Sequence, residues 1–143
     1  MIQSIGFITH TSGEILGGSE VSLSLLASHL AKKGIKIYIA SFPPNIMLNN
    51  VANIEIINCG STTQFELYAP PITLIYKVLN TIRYFEKMKI DLIHIYNVGT
   101  LSGAGLYKLL GGRIPVVATL NNYSGVCPYQ ALCELETINW LQC

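Results

Sequence analysis

Apolar and polar positions along this chain fall into two alternating periods. Short, nearly continuous apolar runs occupy residues 5–9, 35–41, 54–58, 91–96 and 115–120. They are rich in Ile, Val and Tyr, which suit a pleated, half-buried surface, and they predict five strands. Three longer stretches repeat at helical spacing. In residues 19–33, Val21, Leu25, Leu26 and Leu30 form one predicted face, with Ser22, Ser24, Ser28 and Lys32 on the other. In residues 72–88 the stripe is Ile75, Val78, Leu79, Ile82 and Phe85, and a third helix is expected over 100–110. Lys32-Lys33-Gly34 and Gly111-Gly112 read as helix stops. Strands alternating with helices of this length predict an α/β fold with a parallel, doubly wound sheet. The nearly continuous apolar character of 91–96 suits a buried parallel strand.

Sheets of this kind bind ligands outside the carboxyl ends of their strands. The loops expected there are 10–20, 96–99 and 121–124, rich in Asn, Gly, Ser and Tyr. The first contains Gly17-Gly18-Ser19-Glu20 at a strand-to-helix junction. Glycines admit a close backbone approach, and the helix start presents unpaired N–H groups and partial positive charge, a setting for phosphate. The alternative is a turn that only connects two elements. Glycines 13, 17 and 18 do not fit the dinucleotide spacing G-x-G-x-x-G. Gly13 and Gly18 stand at P-loop spacing, but Ser19 follows where the phosphate-binding lysine is required.

Composition narrows the picture further. The 143 residues suffice for one domain with a core, half of them are hydrophobic, and 12% are charged. A net charge of +1 gives no electrostatic footprint for nucleic acid. No apolar run reaches the length of a membrane span, and residues 1–10 lack a cationic leader, so the expected setting is cytoplasmic. Lys77, Arg83, Lys87 and Lys89 give the helix at 72–88 a basic cast. It is expected to pack on the sheet with its charges solvated; peripheral contact with the inner face of a membrane is the alternative. His94 reads as a satisfied core histidine. Cys127, Cys133 and Cys143 lack a close ligand pair, so ordinary or redox-linked thiols are expected over zinc. The chain ends abruptly on Cys143, and a truncated domain is expected.

Several segments together resemble the N-terminal domain of GT-B glycosyltransferases, in particular the retaining glycosyltransferase family 4. They are Gly17-Gly18-Ser19-Glu20, Asp91-Leu92-Ile93-His94, Pro115-Val116-Val117-Ala118-Thr119-Leu120 and Cys127-Pro128. The resemblance implies one Rossmann-like domain, 1–143, facing a second domain across a cleft. The first binds mainly the acceptor. The second, absent here, binds most of a nucleotide-diphospho-sugar and carries an E-x7-E motif that this sequence lacks. Gly17 and Gly18 are implied to lie at the donor diphosphate. No metal or other cofactor is expected, because in that family N–H groups and basic side chains stabilise the leaving diphosphate. Two positions depart from the pattern: Asn121 stands where histidine is common, and Tyr96 stands where a second histidine is common. Asparagine can hydrogen-bond sugar hydroxyls but cannot exchange a proton at neutral pH.

The expected function is therefore the acceptor-binding half of a retaining glycosyltransferase. Gly17 and Gly18 would approach the diphosphate. Ser19, Glu20, Asn97, Asn121 and Tyr123 would line the acceptor side, with Asn121 the candidate nearest the reaction. The acceptor would be a sugar, a lipid-linked group or another hydroxyl compound, and the domain alone should not transfer sugar efficiently. The competing readings are a non-catalytic α/β binding or assembly module and a nucleotide-binding protein unrelated to sugars.

Overall fold

A computed structural model describes residues 2–10, 18–42, 51–59, 72–96 and 100–120. The strands are β1 (Ser4–His10), β2 (Lys36–Phe42), β3 (Ile54–Asn58), β4 (Leu92–Ile95) and β5 (Val116–Ala118). The helices are α1 (Gly18–Lys32), α2 (Ile72–Lys87) and α3 (Leu101–Leu109). Every expected element is present, with ends displaced by a few residues at most.

The strands form one parallel sheet in the order β3-β2-β1-β4-β5. From β1 the chain winds outward through β2 to β3. It then returns across the sheet to place β4 on the other side of β1. The winding direction therefore reverses between β1 and β4, so their carboxyl ends flank the crevice where such sheets take ligands.

Strand alternation sends side chains to two cores. Ile5, Phe7, Ile37 and Ile39 face α1 with Leu23, Ala27 and Ala31. Ile8, Ala40, Phe42, Ile93 and Ile95 face α2 and α3, against Leu74, Val78, Ile82 and Phe85. The central strands are covered on both sides, which is why every residue of β2 after Lys36 is buried and all but Ser41 are nonpolar or aromatic. At Gly103 the two outer helices approach so closely that a Cβ would lie 2.6 Å from Val78 Cβ.

The expected face of α1 is corrected in part: Leu23, Ala27 and Ala31 are buried against the sheet with Leu26 and Leu30 packed beside them, whereas Val21 and Leu25 are 50% and 68% exposed. Both sides of this helix carry apolar residues, so periodicity alone does not choose between them. The alanines decide it, because small side chains let the helix axis lie close to the sheet. On α2 the expected stripe is buried as anticipated, except that Ile75 is only partly covered, and Leu74 and Thr81 join it.

Each helix hands over to the next strand by one hydrogen-bond pattern. Gly34 N and Ile35 N donate to Ala31 O and Leu30 O after α1. Lys89 and Ile90 repeat this with Glu86 and Phe85, and Gly111 and Gly112 with Lys108 and Tyr107. This Schellman arrangement needs a left-handed residue just past the helix. Gly34, Lys89 and Gly111 fill that position with φ of 86°, 56° and 84°.

Candidate functional site

The amino-terminal turn of α1 stands at the carboxyl end of the sheet, beside the β1–β4 crevice. Gly18 is its first residue. It is exposed, and a Cβ built on it would meet no atom within 4 Å. Packing among the described residues therefore does not demand glycine here. The position is at the start of the helix, whose amino terminus favours an anion.

Two polar pairs furnish this turn. Ser19 Oγ donates to Glu20 Oε2 at 2.8 Å, and Glu20 is 7% exposed. The glutamate thus points inward and fixes the helix start while adding negative charge to its positive end. Ser22 Oγ lies 2.6 Å from the Tyr96 hydroxyl. Tyr96 follows the last residue of β4, and its N–H donates to Ile8 O of β1. This contact ties α1 to the far side of the crevice and brings together residues 74 apart in sequence.

An aromatic row supports the same wall. Phe7 stacks on His94 with ring centroids 4.9 Å apart, and Tyr96 meets Phe7 edge-on at 6.3 Å. His94 Nε2 lies 2.8 Å from Thr119 Oγ1. Burial lowers its pKa from the usual histidine value and favours the neutral ring. A stacked, hydrogen-bonded, neutral imidazole matches the expectation of a satisfied core histidine.

Asp91, part of the motif around β4, lies at the opposite end of the sheet. Its Oδ2 accepts from Gln3 N at 2.8 Å, Ser4 N at 3.0 Å and Ser4 Oγ at 3.1 Å. These bonds hold its pKa below the usual carboxylate value, the Gln3 N–H contributing most. Asp91 clamps the start of β1 to the start of β4 and takes no part in the crevice.

Of the expected site residues, the structure brings Gly18, Ser19 and Glu20 to the crevice. Gly17, Asn97, Asn121 and Tyr123 lie outside the described residues, as do Cys127, Cys133 and Cys143. Ser22 and Tyr96 are additions to the set. Tyr96 was visible only as an oddity in a histidine position, and nothing local in the sequence marks Ser22. Cys59 is a free, partly buried thiol whose pKa burial pushes up; Thr81 Oγ1 donates to its Sγ at 3.6 Å. Among the described residues, no group of His, Cys, Asp and Glu could hold a metal ion, and no helix is long and apolar enough to cross a membrane.

Comparison with known proteins adds two findings to this geometry. The family described as Glycosyltransferase Family 4 matches residues 16–134. Among solved structures, MurG of Acinetobacter baumannii aligns over 94% of this chain with a TM-score of 0.55 and 19% identity. The alignment spans 40% of the MurG chain, and at that identity the likeness is one of fold. No curated protein matches the chain significantly.

Proposed function

The chain belongs to glycosyltransferase family 4, and on that premise we propose that it is the acceptor-binding half of a retaining glycosyltransferase drawing on a nucleotide-diphospho-sugar. The observation that carries this reading is the amino terminus of α1 beside the β1–β4 crevice, where a Cβ on Gly18 would meet no described atom within 4 Å. A leaving diphosphate develops negative charge as the glycosidic bond to the donor breaks. Preorganised N–H donors and a helix start stabilise such charge where it appears. In this reading Gly17 and Gly18 approach the diphosphate, and Ser19 shapes the edge of the cradle with Glu20 behind it. Ser19, Glu20, Asn97, Asn121 and Tyr123 serve the acceptor side, with Asn121 hydrogen-bonding the reacting sugar. The Ser22–Tyr96 bond holds α1 in register with β4, so both sides of the crevice keep their spacing.

The donor nucleotide in this proposal is held by a second domain facing the crevice, which makes transfer depend on both walls. The acceptor is a sugar, a lipid-linked group or another hydroxyl compound. The reaction takes place in the cytoplasm, close to the inner face of the membrane. The competing reading, a non-catalytic binding module, has Asn121 in its favour because asparagine cannot serve as acid or base.

One experiment tests the assignment. Gly18→Val is introduced into a protein carrying both halves of the cleft, and transfer is measured with a panel of nucleotide-diphospho-sugars. A Cβ at Gly18 meets no described atom within 4 Å, so the fold should be retained, which circular dichroism checks. Valine blocks the N–H groups, so kcat/KM should fall on the order of a hundredfold, the scale of losing one oxyanion-type donor. Undiminished transfer removes the turn from the donor site. Nucleotide-sugar binding without transfer by the unmutated protein supports the module instead.

A further inference from the structure

β3 stands at one edge of the sheet, and its neighbour among the described strands is β2. Where β3 ends, the strand and α2 enclose a pocket of about 250 Å³. Ile57 and Cys59 line it from the strand side, and Lys77, Asn80, Thr81 and Tyr84 from the helix. The four helical positions fall three and four residues apart, so they make one stripe. Two strand spacings, about 10 Å, separate β3 from β1 across the sheet. None of the crevice residues Gly18, Ser19, Glu20, Ser22 and Tyr96 borders this pocket.

Floor and rim of the pocket differ. Thr81 is buried, and its hydroxyl donates to Lys77 O at 3.0 Å and lies 3.6 Å from Cys59 Sγ. Desolvation keeps the Cys59 thiol protonated, so the floor is uncharged and its polar groups are satisfied. At the rim, Asn80 is exposed and Tyr84 is 46% exposed. Among the described residues, neither the Asn80 amide nor the Tyr84 hydroxyl has a hydrogen-bond partner. Lys77 does have an interaction of its own. On an open helix face such groups are simply solvated. Here they stand around a concavity whose remaining wall, Ile57 and the Tyr84 ring, is apolar.

We infer that this pocket holds one neutral pyranose unit of a glycan, at a site separate from the crevice. A pyranose presents a face of C–H groups and an edge of hydroxyls. Ile57 and the Tyr84 ring offer the apolar contact that the face needs. The Asn80 amide both donates and accepts, as each sugar hydroxyl does, and the Tyr84 hydroxyl adds another such group. The volume lies just below the ~300 Å³ at which drug-sized pockets begin, which suits a single ring. A nucleotide is disfavoured, because its phosphate would meet no unengaged cation in the lining. The inference rests on the proposed function for its choice of ligand. A transferase that grips a glycan acceptor at a second point raises the local concentration of the end that reacts.

The test is titration of the full chain with the methyl glycosides of glucose, galactose, mannose and N-acetylglucosamine, followed by NMR at the Asn80 side-chain amide and the Tyr84 ring. At least one glycoside should shift both signals with a Kd on the order of 1 mM, the scale for so small a ligand. Tyr84→Ala should weaken that binding about tenfold, from loss of the ring contact. Asn80→Ala should weaken it about fivefold, from loss of one hydrogen bond. Tyr84→Phe keeps the ring face and should retain most of the binding. Both positions are exposed, and circular dichroism verifies folding of each variant. Gly18→Val, which disables the proposed donor site, should leave these shifts as they are, so pocket binding and sugar transfer can fail independently. No shift with any glycoside at about 50 mM, well above the expected Kd, would overturn the inference. So would shifts that persist unweakened in Tyr84→Ala, or tighter binding of uridine monophosphate than of any glycoside at the same two signals.

Discussion

The two ends of the parallel sheet are built on different terms. At the amino end, polar groups are spent on the fold itself. The Asp91 carboxylate takes three hydrogen bonds from the first residues of the chain. Lys108 Nζ donates to Gly112 O at 2.6 Å, and Tyr107 links Glu86 of α2 to the Ile114 N–H. At the carboxyl end, the first turn of α1 faces space that no described atom fills within 4 Å of the Gly18 Cβ position. Even there the supporting groups are anchored, Glu20 by Ser19 and Ser22 by Tyr96. At one end the described polar groups bond to the fold itself, and at the other they brace an opening. Stability and ligand binding should thus respond to changes at different ends.

Two glycines put this contrast to its strongest test. A Cβ on Gly18 meets nothing, whereas a Cβ on Gly112 overlaps the Tyr107 ring. Gly112→Val should therefore lower stability by about 1–3 kcal/mol, the usual scale for overpacking, read as a lower denaturant midpoint. Donor affinity per folded molecule should not change. Gly18→Val should show the reverse, an unaltered midpoint with lost donor affinity. If both variants lose stability equally, the carboxyl end is packed as the amino end is, and the contrast fails.

Much of this division was legible before any coordinates, because each strand and helix carries its own period. The order β3-β2-β1-β4-β5 was not, since every connection between parallel strands is compatible with more than one neighbour. The buried side of α1 is only half legible from the same source: Leu26 and Leu30 pack on the core, Val21 and Leu25 do not. Val21 and Leu25 outweigh Ala27 and Ala31 in hydrophobicity, but only the alanines permit close approach to the sheet. In the site, Gly18, Ser19 and Glu20 were found because a strand, two glycines and a helix stand consecutively. The Ser22–Tyr96 contact was hidden, because it depends on β1 and β4 being neighbours, which is a property of topology. Asp91 is the converse case, a motif residue whose place at the start of its strand puts it away from the crevice.

A smaller effect is expected from acid at the amino end. Hydrogen bonds to Asp91 lower its pKa from 3.8 in the folded chain. A carboxyl with a depressed folded pKa binds protons less readily folded than unfolded, so its contribution is present above about pH 4 and is lost as pH falls through the folded value. Asp91→Asn keeps the shape but gives up the charge. Its melting temperature should lie a few degrees below that of the unmutated protein at neutral pH, and the two should converge in stronger acid. A gap that persists unchanged below pH 3 would mean that the carboxylate's charge does not matter there.

The smallest effect is expected at the turn after α2. Gly34 and Gly111 occupy the left-handed position after α1 and α3, but the equivalent residue here is Lys89, at φ 56°. A side chain in that conformation crowds the following carbonyl, and glycine relieves the strain. Against this, glycine gives the unfolded chain more freedom to lose. The two terms leave a net gain of about 0.5 kcal/mol for Lys89→Gly, seen as a small rise in denaturant midpoint with donor affinity untouched. A variant less stable than the parent would show that Lys89 makes a contact at the amino end worth more than the strain it carries.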